Sequence, residues 1–345
     1  MIKYYCLKSG FVSFALLGKP NVCLSEEKME EIIIPFAVIS ALILLLLVTA
    51  YVCYHIPFAR GKNSKIDPRS PIRIKDCDEF LSLTRPLIDE ISATPCDDIY
   101  IKARDGVTLY GRYYHVRDGA PLELQFHGYR GHALRDFCGG ARDARARGHN
   151  LILVDQRAHG KSGGRALSFG IKERYDVLDW IEYSISRFGE DVKIILIGMS
   201  MGAATVLMAS GLPMPKNVRC VIADCPYSSP RKIISRVVAD MKLPPRLLMP
   251  LIRLGGIIFG GFDIDSASAE EAVKKSQIPT LIIHGEGDTF VPCEMSRHIF
   301  ANCKMKKRAL LTIPGAEHGI SYLVDKERYL DTVVRFMEDA LGDDE

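Results

Sequence analysis

Hydrophobic and polar positions form two distinct patterns along this chain, and the first is a long apolar segment near the N-terminus. Residues 32–56 contain no Asp, Glu, Lys or Arg. About 20 apolar residues are enough to cross the hydrocarbon core of a bilayer. The segment is longer than the apolar part of a signal peptide and lacks the polar interruptions of a buried soluble helix. We therefore predict a transmembrane helix over residues 32–56.

Charged residues on either side of the apolar segment predict its orientation. Glutamates precede it, whereas basic residues follow it in a predicted juxtamembrane linker, residues 57–75. Because the flank richer in Lys and Arg stays in the cytoplasm, the domain after the helix is predicted to be cytoplasmic. The leader, residues 1–31, carries four lysines that favour the opposite orientation. Its short apolar run resembles a signal peptide poorly, and Met29 is an alternative start.

The second pattern covers residues 76–345, where short apolar runs alternate with amphipathic helical segments. This alternation predicts an α/β domain with a mostly parallel central sheet flanked by helices. Asp105-Gly106 separates the first two predicted strands and indicates a hairpin. The predicted strands cover residues 99–104, 107–116, 122–126, 150–155, 194–197, 218–223, 279–283 and 309–313, and two of the predicted helices cover residues 172–187 and 322–341.

The net charge and the cysteine pattern of the chain argue against two classes of function, nucleic-acid binding and structural zinc binding. The 345 residues have a formal net charge of +3, which argues against a dedicated nucleic-acid binder. The ten cysteines form no Cys-x-x-Cys pair, and no Cys/His cluster has the spacing of a structural zinc site. We therefore expect reduced thiols in a cytoplasmic domain and neither a metal ion nor an organic cofactor.

One predicted strand leads into a motif that is typical of a catalytic serine. Residues 194–197 are apolar and run into Gly198-Met199-Ser200-Met201-Gly202, after which small, helix-favouring residues follow. A strand, a tight turn and a helix are the context that a Gly-x-Ser-x-Gly nucleophile elbow requires. We predict that Ser200 is the nucleophile. The alternative is a glycine-rich turn that only ends a strand.

A serine hydroxyl is a weak nucleophile and needs a base, which is itself oriented by a carboxylate. His318 fits the base best because it follows the last predicted strand in a glycine-flanked turn. Three other histidines end predicted strands directly before a glycine, where shaping the loop through hydrogen bonds is the favoured interpretation: His127, His159 and His284.

The orienting acid has two candidates. Asp288 follows the penultimate predicted strand in a Gly-Glu-Gly-Asp turn, and Asp224 follows the strand after the elbow. We prefer Asp288, and Ser200, Asp288 and His318 then lie in the chain order Ser…Asp…His that this arrangement uses on α/β sheets.

The reaction also needs an oxyanion hole, in which backbone N–H groups point to the place where negative charge develops. The amide of Met201 is one predicted donor, since it opens the helix after the elbow. The other predicted donor is the amide of Tyr129, in the loop after the third strand.

Five motifs lie in this order along residues 98–341: His127-Gly128-x-x-Gly131, Asp155-x-Arg157-x-His159-Gly160-x-Ser162, Gly198-x-Ser200-x-Gly202, the Asp288 loop and Pro314-Gly315-x-x-His318. With them the chain resembles the α/β-hydrolase fold and is similar to its lysophospholipase, monoglyceride-lipase and serine-aminopeptidase-like branches. The resemblance implies that Ser200, Asp288 and His318 match the family's catalytic triad. The motif His127-Gly128-x-x-Gly131 differs from the His-Gly-Gly-Gly sequence of another lipase branch.

Residues 226–275, between two predicted strands, are expected to form a helical lid that is apolar and carries more basic than acidic residues from 230 to 262. Such a lid suits an acyl chain with an anionic headgroup, although helices that only pack on the sheet are an equal alternative. We predict a membrane-anchored serine hydrolase that cleaves small-molecule or lipid esters, such as lysophospholipids or monoacylglycerols, through an acyl-enzyme. A peptidase-like amide hydrolase and a non-catalytic membrane-tethered interaction module are the alternatives.

Overall fold

The computed structural model describes residues 4–7, 11–14, 22–61, 67–69 and 77–342. These residues belong to two compact units, Met1–Cys53 and Tyr54–Glu345. Much of the predicted linker, at residues 62–66 and 70–75, lies outside the described residues, and so do parts of the predicted leader.

The first unit contains a small sheet, which was not predicted, and most of a long helix. The antiparallel strands, in sheet order, are β1 (Tyr4–Leu7), β2 (Phe11–Phe14) and β3 (Val22–Ser25). Helix α1 (Glu26–Phe58) includes the predicted apolar segment. By length and composition, its residues Met29–Phe58 could cross a membrane. The apolar side chains from Ile32 to Val48 are exposed, which is unfavourable in water.

The second unit is built around an eight-stranded sheet. Its strands are β4 (Asp97–Lys102), β5 (Thr108–Tyr114), β6 (Leu122–Phe126), β7 (Asn150–Asp155), β8 (Ile194–Met199), β9 (Val218–Asp224), β10 (Thr280–Gly285) and β11 (Arg308–Ile313). They lie in the order β11-β10-β9-β8-β6-β7-β5-β4. β5 pairs antiparallel with β4 and β7, and the other neighbours pair parallel. The predicted, mostly parallel sheet is therefore confirmed.

Helices lie before, between and after these strands in the chain. They are α2 (Cys77–Ala93), α3 (Ala133–Asp136), α4 (Cys138–Ala146), α5 (Glu173–Phe188), α6 (Met201–Ser210), α7 (Pro230–Asp240), α8 (Pro245–Gly255), α9 (Ala269–Ala272), α10 (Cys293–Asn302), α11 (Ser321–Val324) and α12 (Lys326–Gly342). Helices α7 to α9, with a π-helical turn at Gly256–Gly260, form the segment between β9 and β10. We call residues 226–275 the cap segment.

Alternate side chains of β7 show how helices cover both faces of the sheet. Leu151 and Leu153 are fully buried in a cluster with residues of α2, α3 and α4. Ile152 points to the opposite face, where Gly111 leaves room for it beside Trp180 of α5. Successive side chains of a strand point to opposite faces, so a continuous apolar run needs cover on both sides.

Two predicted helices differ in detail from the structure. The predicted helix over residues 322–341 is divided into α11 and α12, because the backbone at Asp325 is not helical (φ −139°, ψ 73°). The predicted helix over residues 172–187 corresponds to α5 with a shift of one residue. Helix α2, which contains Pro86, was not predicted.

Candidate active site

Ser200 occupies the sharp turn between β8 and α6. Its backbone has φ 53° and ψ −111°, a conformation that costs a non-glycine residue about 1–3 kcal/mol. The Ser200 amide donates to the Asp224 carbonyl at 2.8 Å, which helps to fix the turn. A Cβ on Gly202 would overlap the Phe126 carbonyl, and one on Gly198 would overlap the Gly202 backbone. The two glycines therefore let α6 begin close against the sheet.

The structure brings Ser200, His318 and Asp288 into one chain of hydrogen bonds. Ser200 Oγ lies 2.9 Å from His318 Nε2, and His318 Nδ1 lies 2.6 Å from Asp288 Oδ2. With the proton on Nδ1, the imidazole donates to the carboxylate and accepts from the serine hydroxyl. The Asp288 side chain is fully buried, whereas that of His318 is 14% exposed. This geometry is that of a nucleophile, its base and an orienting acid.

Several donors surround Asp288 and favour its charged form. The amides of Phe290 and Val291 donate to Oδ1 at 3.0 and 2.7 Å. Burial opposes ionisation, yet hydrogen bonds from His284, His318 and the Val291 amide outweigh it and lower the pKa of Asp288 to about 2. Asp288 is thus a carboxylate at neutral pH, as an acid that orients a histidine must be.

Among the described residues, His284 contacts Asp288 and forms no hydrogen bond with Ser200. Its Nε2 lies 3.2 Å from Asp288 Oδ2 and 2.8 Å from the Val291 carbonyl, so this nitrogen carries the proton and donates. Its Nδ1 then accepts from the Ser296 hydroxyl at 2.6 Å. The sequence pattern assigned His284 only to loop shape, and its contact with the acid was missed.

The side chain of Asp224, the other candidate acid, does not take part in the hydrogen-bond chain of Ser200, His318 and Asp288. Its Oδ2 accepts from the Tyr329 hydroxyl at 3.0 Å, and in the described part of the chain its Oδ1 has no hydrogen-bond partner. Burial raises the pKa of Asp224 to about 6, although the Tyr329 hydrogen bond acts against this. Among the described residues, His318 bonds to Asp288 and not to Asp224.

The loop at residues 127–131, which we call the oxyanion loop, lies against Ser200. A Cβ on Gly128 would be 3.5 Å from the Ser200 Cβ. The Gly128 amide donates to Asp136 at 2.9 Å, and the Arg130 amide donates to His159 at 3.0 Å. Between them, the Tyr129 amide has no acceptor among the residues that the structure describes. A free N–H beside the nucleophile is what an oxyanion donor requires.

Met201 is the first residue of α6 and is fully buried. The first N–H groups of a helix have no intrahelical acceptor, and the positive end of the helix dipole lies there. The Met201 amide therefore has the chemical character of the second predicted donor. Asp136, whose carboxylate accepts from the Gly128 amide, was not predicted.

His127 and His159 bond to the backbone of the loops. The Nδ1 of each ring donates to a carbonyl, that of Gly128 and that of Arg157, and each Nε2 accepts a backbone amide proton. Burial lowers the pKa of His127 to about 4 and that of His159 to about 3. Both rings are therefore neutral and keep this hydrogen-bonding pattern at physiological pH.

Part of the chain matches two family models. One is described as the alpha/beta hydrolase fold and matches residues 124–248, and the other is described as serine hydrolase (FSH1) and matches residues 196–320. The Bacillus subtilis uncharacterized protein YqkD is 28% identical over 192 residues, which are 55% of this chain and 63% of YqkD. The chain thus spans less than two thirds of that relative. Schizosaccharomyces pombe protein bem46 is 24% identical over 251 residues, 69% of this chain and 75% of bem46.

Solved structures resemble this one at the level of the fold. The esterase Pf2001 of Pyrococcus furiosus has a TM-score of 0.58 at 23% identity, covering 73% of this chain and 93% of the esterase. Est1E of Butyrivibrio proteoclasticus with bound ferulic acid has a TM-score of 0.55 at 23% identity, covering 70% of this chain and 99% of Est1E. The chain has the α/β-hydrolase fold. The expected fold class is confirmed, and substrate and branch remain predictions.

Proposed function

We propose that this chain is a membrane-anchored serine hydrolase that cleaves carboxylic esters through an acyl-enzyme. The hydrogen-bond chain from Ser200 through His318 to Asp288 is the observation that carries the proposal. Its support is the combination of a strained turn at Ser200, a histidine within hydrogen-bond distance of the serine hydroxyl and an ionised acid. The similarity of residues 196–320 to a serine hydrolase family supports the same reaction class.

In the proposed reaction, Ser200 Oγ attacks the ester carbonyl carbon while its proton moves to His318 Nε2. The carboxylate of Asp288 stabilises the imidazolium that forms. The amides of Met201 and Tyr129 donate to the oxyanion of the tetrahedral intermediate, where one donor is worth about 3 kcal/mol. His318 then protonates the leaving alcohol. A water molecule reverses the sequence, releases the acid and restores Ser200.

Two surface features support lipid esters as the substrates. The cap segment exposes apolar side chains that a soluble protein would normally bury: Leu243, Leu247, Ile257, Ile258 and Phe259. Lys242 and Arg246 are exposed beside them. An apolar surface with adjacent cations suits acyl chains that carry anionic headgroups.

Active-site labelling of the full chain with a fluorophosphonate tests the nucleophile. We expect the wild type to be labelled and Ser200→Ala to lose labelling completely, because the probe reacts only with an activated serine. Ser210→Ala is the matched control, since Ser210 ends the same helix and its hydroxyl donates to Leu207. Labelling that survives Ser200→Ala contradicts the proposal. An unlabelled wild type favours the interaction module.

A substrate panel tests the ester class with the same preparations. It contains a lysophospholipid, a monoacylglycerol, short p-nitrophenyl esters and aminoacyl amides. We expect turnover of the esters, with the long-chain lipids preferred, and its loss in Ser200→Ala. Turnover of the amides alone would replace the ester proposal with the peptidase-like alternative.

A further inference from the structure

The last turn of α1 contacts the oxyanion loop. Tyr54–Phe58 belongs to the second unit, together with the active site. The Tyr129 hydroxyl donates to the Pro57 carbonyl at 2.9 Å, and Arg130 Nη2 donates to the Ile56 carbonyl at 2.8 Å. The last carbonyls of a helix have no intrahelical donors and need partners from elsewhere. Two consecutive side chains of the oxyanion loop supply them.

The chain directly after this turn is bound to the loop that follows β7 and carries His159. The Leu167 amide donates to the Phe58 carbonyl at 2.9 Å, and the Arg60 amide donates to the Arg165 carbonyl at 2.8 Å. The guanidinium of Arg60 donates to the carbonyls of Gly160 and Ser162 at 2.9 and 2.8 Å. We call residues 56–60 the connecting segment.

An aromatic cluster fixes the connecting segment from the inside. Phe58 is completely buried, and its ring meets those of Phe169 and Phe262 edge-on at 5.7 and 5.0 Å between centroids. The Tyr129 ring packs on Phe169 at 5.0 Å. Edge-to-face packing at these separations is favourable and directional. Tyr129 and the connecting segment therefore share one packed environment as well as a hydrogen bond.

We propose that the connecting segment positions the oxyanion loop for catalysis, so that turnover depends on the chain at the end of the apolar helix. Tyr129 joins the two, since its hydroxyl donates to the Pro57 carbonyl and its amide is a proposed oxyanion donor. Arg130 has φ 48°, a strained conformation for a residue other than glycine. Its bonds to Ile56 and His159 oppose relaxation of that backbone. The kinetic part of this proposal rests on the proposed serine hydrolase activity.

Tyr129→Phe in the full chain tests the proposal, because it removes the hydroxyl and keeps the ring and the amide. We expect kcat for a short p-nitrophenyl ester to fall about tenfold, less than the 10²- to 10³-fold loss of a whole donor. KM should change less than twofold, since the hydroxyl is not a substrate contact. Tyr114→Phe is the matched control: this buried hydroxyl donates to the Ile91 carbonyl, and its loss should leave kcat unchanged. A Tyr129→Phe kcat within twofold of the wild type overturns the proposal.

Hydrogen–deuterium exchange tests the same coupling without a substrate. Arg60→Met should raise amide exchange at residues 127–131 at least threefold, because the connecting segment loses its bonds to Gly160 and Ser162. Arg219→Met is the control, since Arg219 also donates to a carbonyl, that of Ala340. Unchanged exchange in Arg60→Met overturns the proposal even if no ester is hydrolysed. If the wild type has no esterase activity, the proposed function is contradicted. The exchange result then still decides whether the connecting segment positions the oxyanion loop.

Discussion

The two buried carboxylates near Ser200, those of Asp288 and Asp224, differ in ionisation because their surroundings offer different numbers of hydrogen-bond donors. Asp288 receives two backbone amides and two imidazoles, which keep it charged. Asp224 receives one tyrosine hydroxyl, and burial raises its pKa to about 6. Neighbouring titratable groups whose environments separate their pKa values have different roles. Only Asp288 is suited to stabilise an imidazolium. The buried carboxylate of Asp224 lowers the free energy of unfolding at neutral pH.

Asp224→Asn should stabilise the protein in a pH-dependent way. The folded-state pKa of about 6 lies above the usual 3.8, so the unfolded chain loses this proton first and wild-type stability falls as pH rises from about 4 to 6. The amide of the substituted side chain stays neutral, avoids that loss and still accepts from Tyr329. The free energy of unfolding of the variant, relative to the wild type, should rise by about 2 kcal/mol between pH 4 and pH 7.5 in urea titrations.

Asp191→Asn is the control for this titration, because its carboxylate is exposed and forms no ion pair with the residues that the structure describes. Its difference from the wild type should be the same at both pH values. If the Asp224→Asn difference is equally constant, Asp224 is not a buried proton-binding group.

Local sequence context was sufficient to predict the three central residues of the site. It was insufficient to predict the contacts that hold the surrounding loops in place. Ser200, Asp288 and His318 each follow a strand, and parallel strands end at one sheet edge, so their meeting follows from the order of the elements. The bond from Tyr129 to Pro57 joins residues 72 positions apart. No periodicity or turn signal encodes such a contact, since it depends on how loops pack after folding.

At the scale of elements, the site depends on how closely α6 approaches the sheet. Every residue of α6 is buried, and the helix begins where β6 and β8 end. Small residues at Gly202, Ala203 and Ala204 permit this approach. The close packing explains why a strand followed by small residues was informative in the sequence. By contrast, the short strands β1 to β3 lack a strong alternating pattern and were not predicted.

Gly202→Ala should destabilise the elbow. The added methyl group would overlap the Phe126 carbonyl, so α6 must move away from β6. We expect a loss of about 3 kcal/mol in the free energy of unfolding, an overpacking cost that exceeds the gain of about 1 kcal/mol in helix propensity. Urea unfolding measures it, and the rate of fluorophosphonate labelling should fall as well.

Gly140→Ala is the matched helical control. Its new methyl group would meet only the Phe137 ring, at an ordinary 3.7 Å, so this variant should be neutral or slightly more stable. Equal effects of the two substitutions would show that the close approach at Gly202 is not the limiting contact.

At the scale of the whole molecule, the long exposed apolar surface of α1 leads us to predict an apolar environment for this helix. The side chains from Ile32 to Val48 are exposed along several helical turns, far more than a soluble monomer tolerates. A bilayer provides that environment, and about 20 such residues match its thickness. The excess of basic residues after the helix then favours a cytoplasmic hydrolase unit.

Protease protection in bacterial membrane vesicles tests this topology. With an epitope tag at the C-terminus, we expect trypsin to remove the tag in inverted vesicles and to leave it intact in right-side-out vesicles, because only the former expose the cytoplasmic face. The control for vesicle sidedness is a membrane protein that carries the same tag on a domain known to face the cytoplasm. Protection in inverted vesicles would reverse the orientation. A shortened protein that alkaline carbonate releases would instead identify α1 as a cleaved signal sequence, and the hydrolase unit would then act away from the membrane.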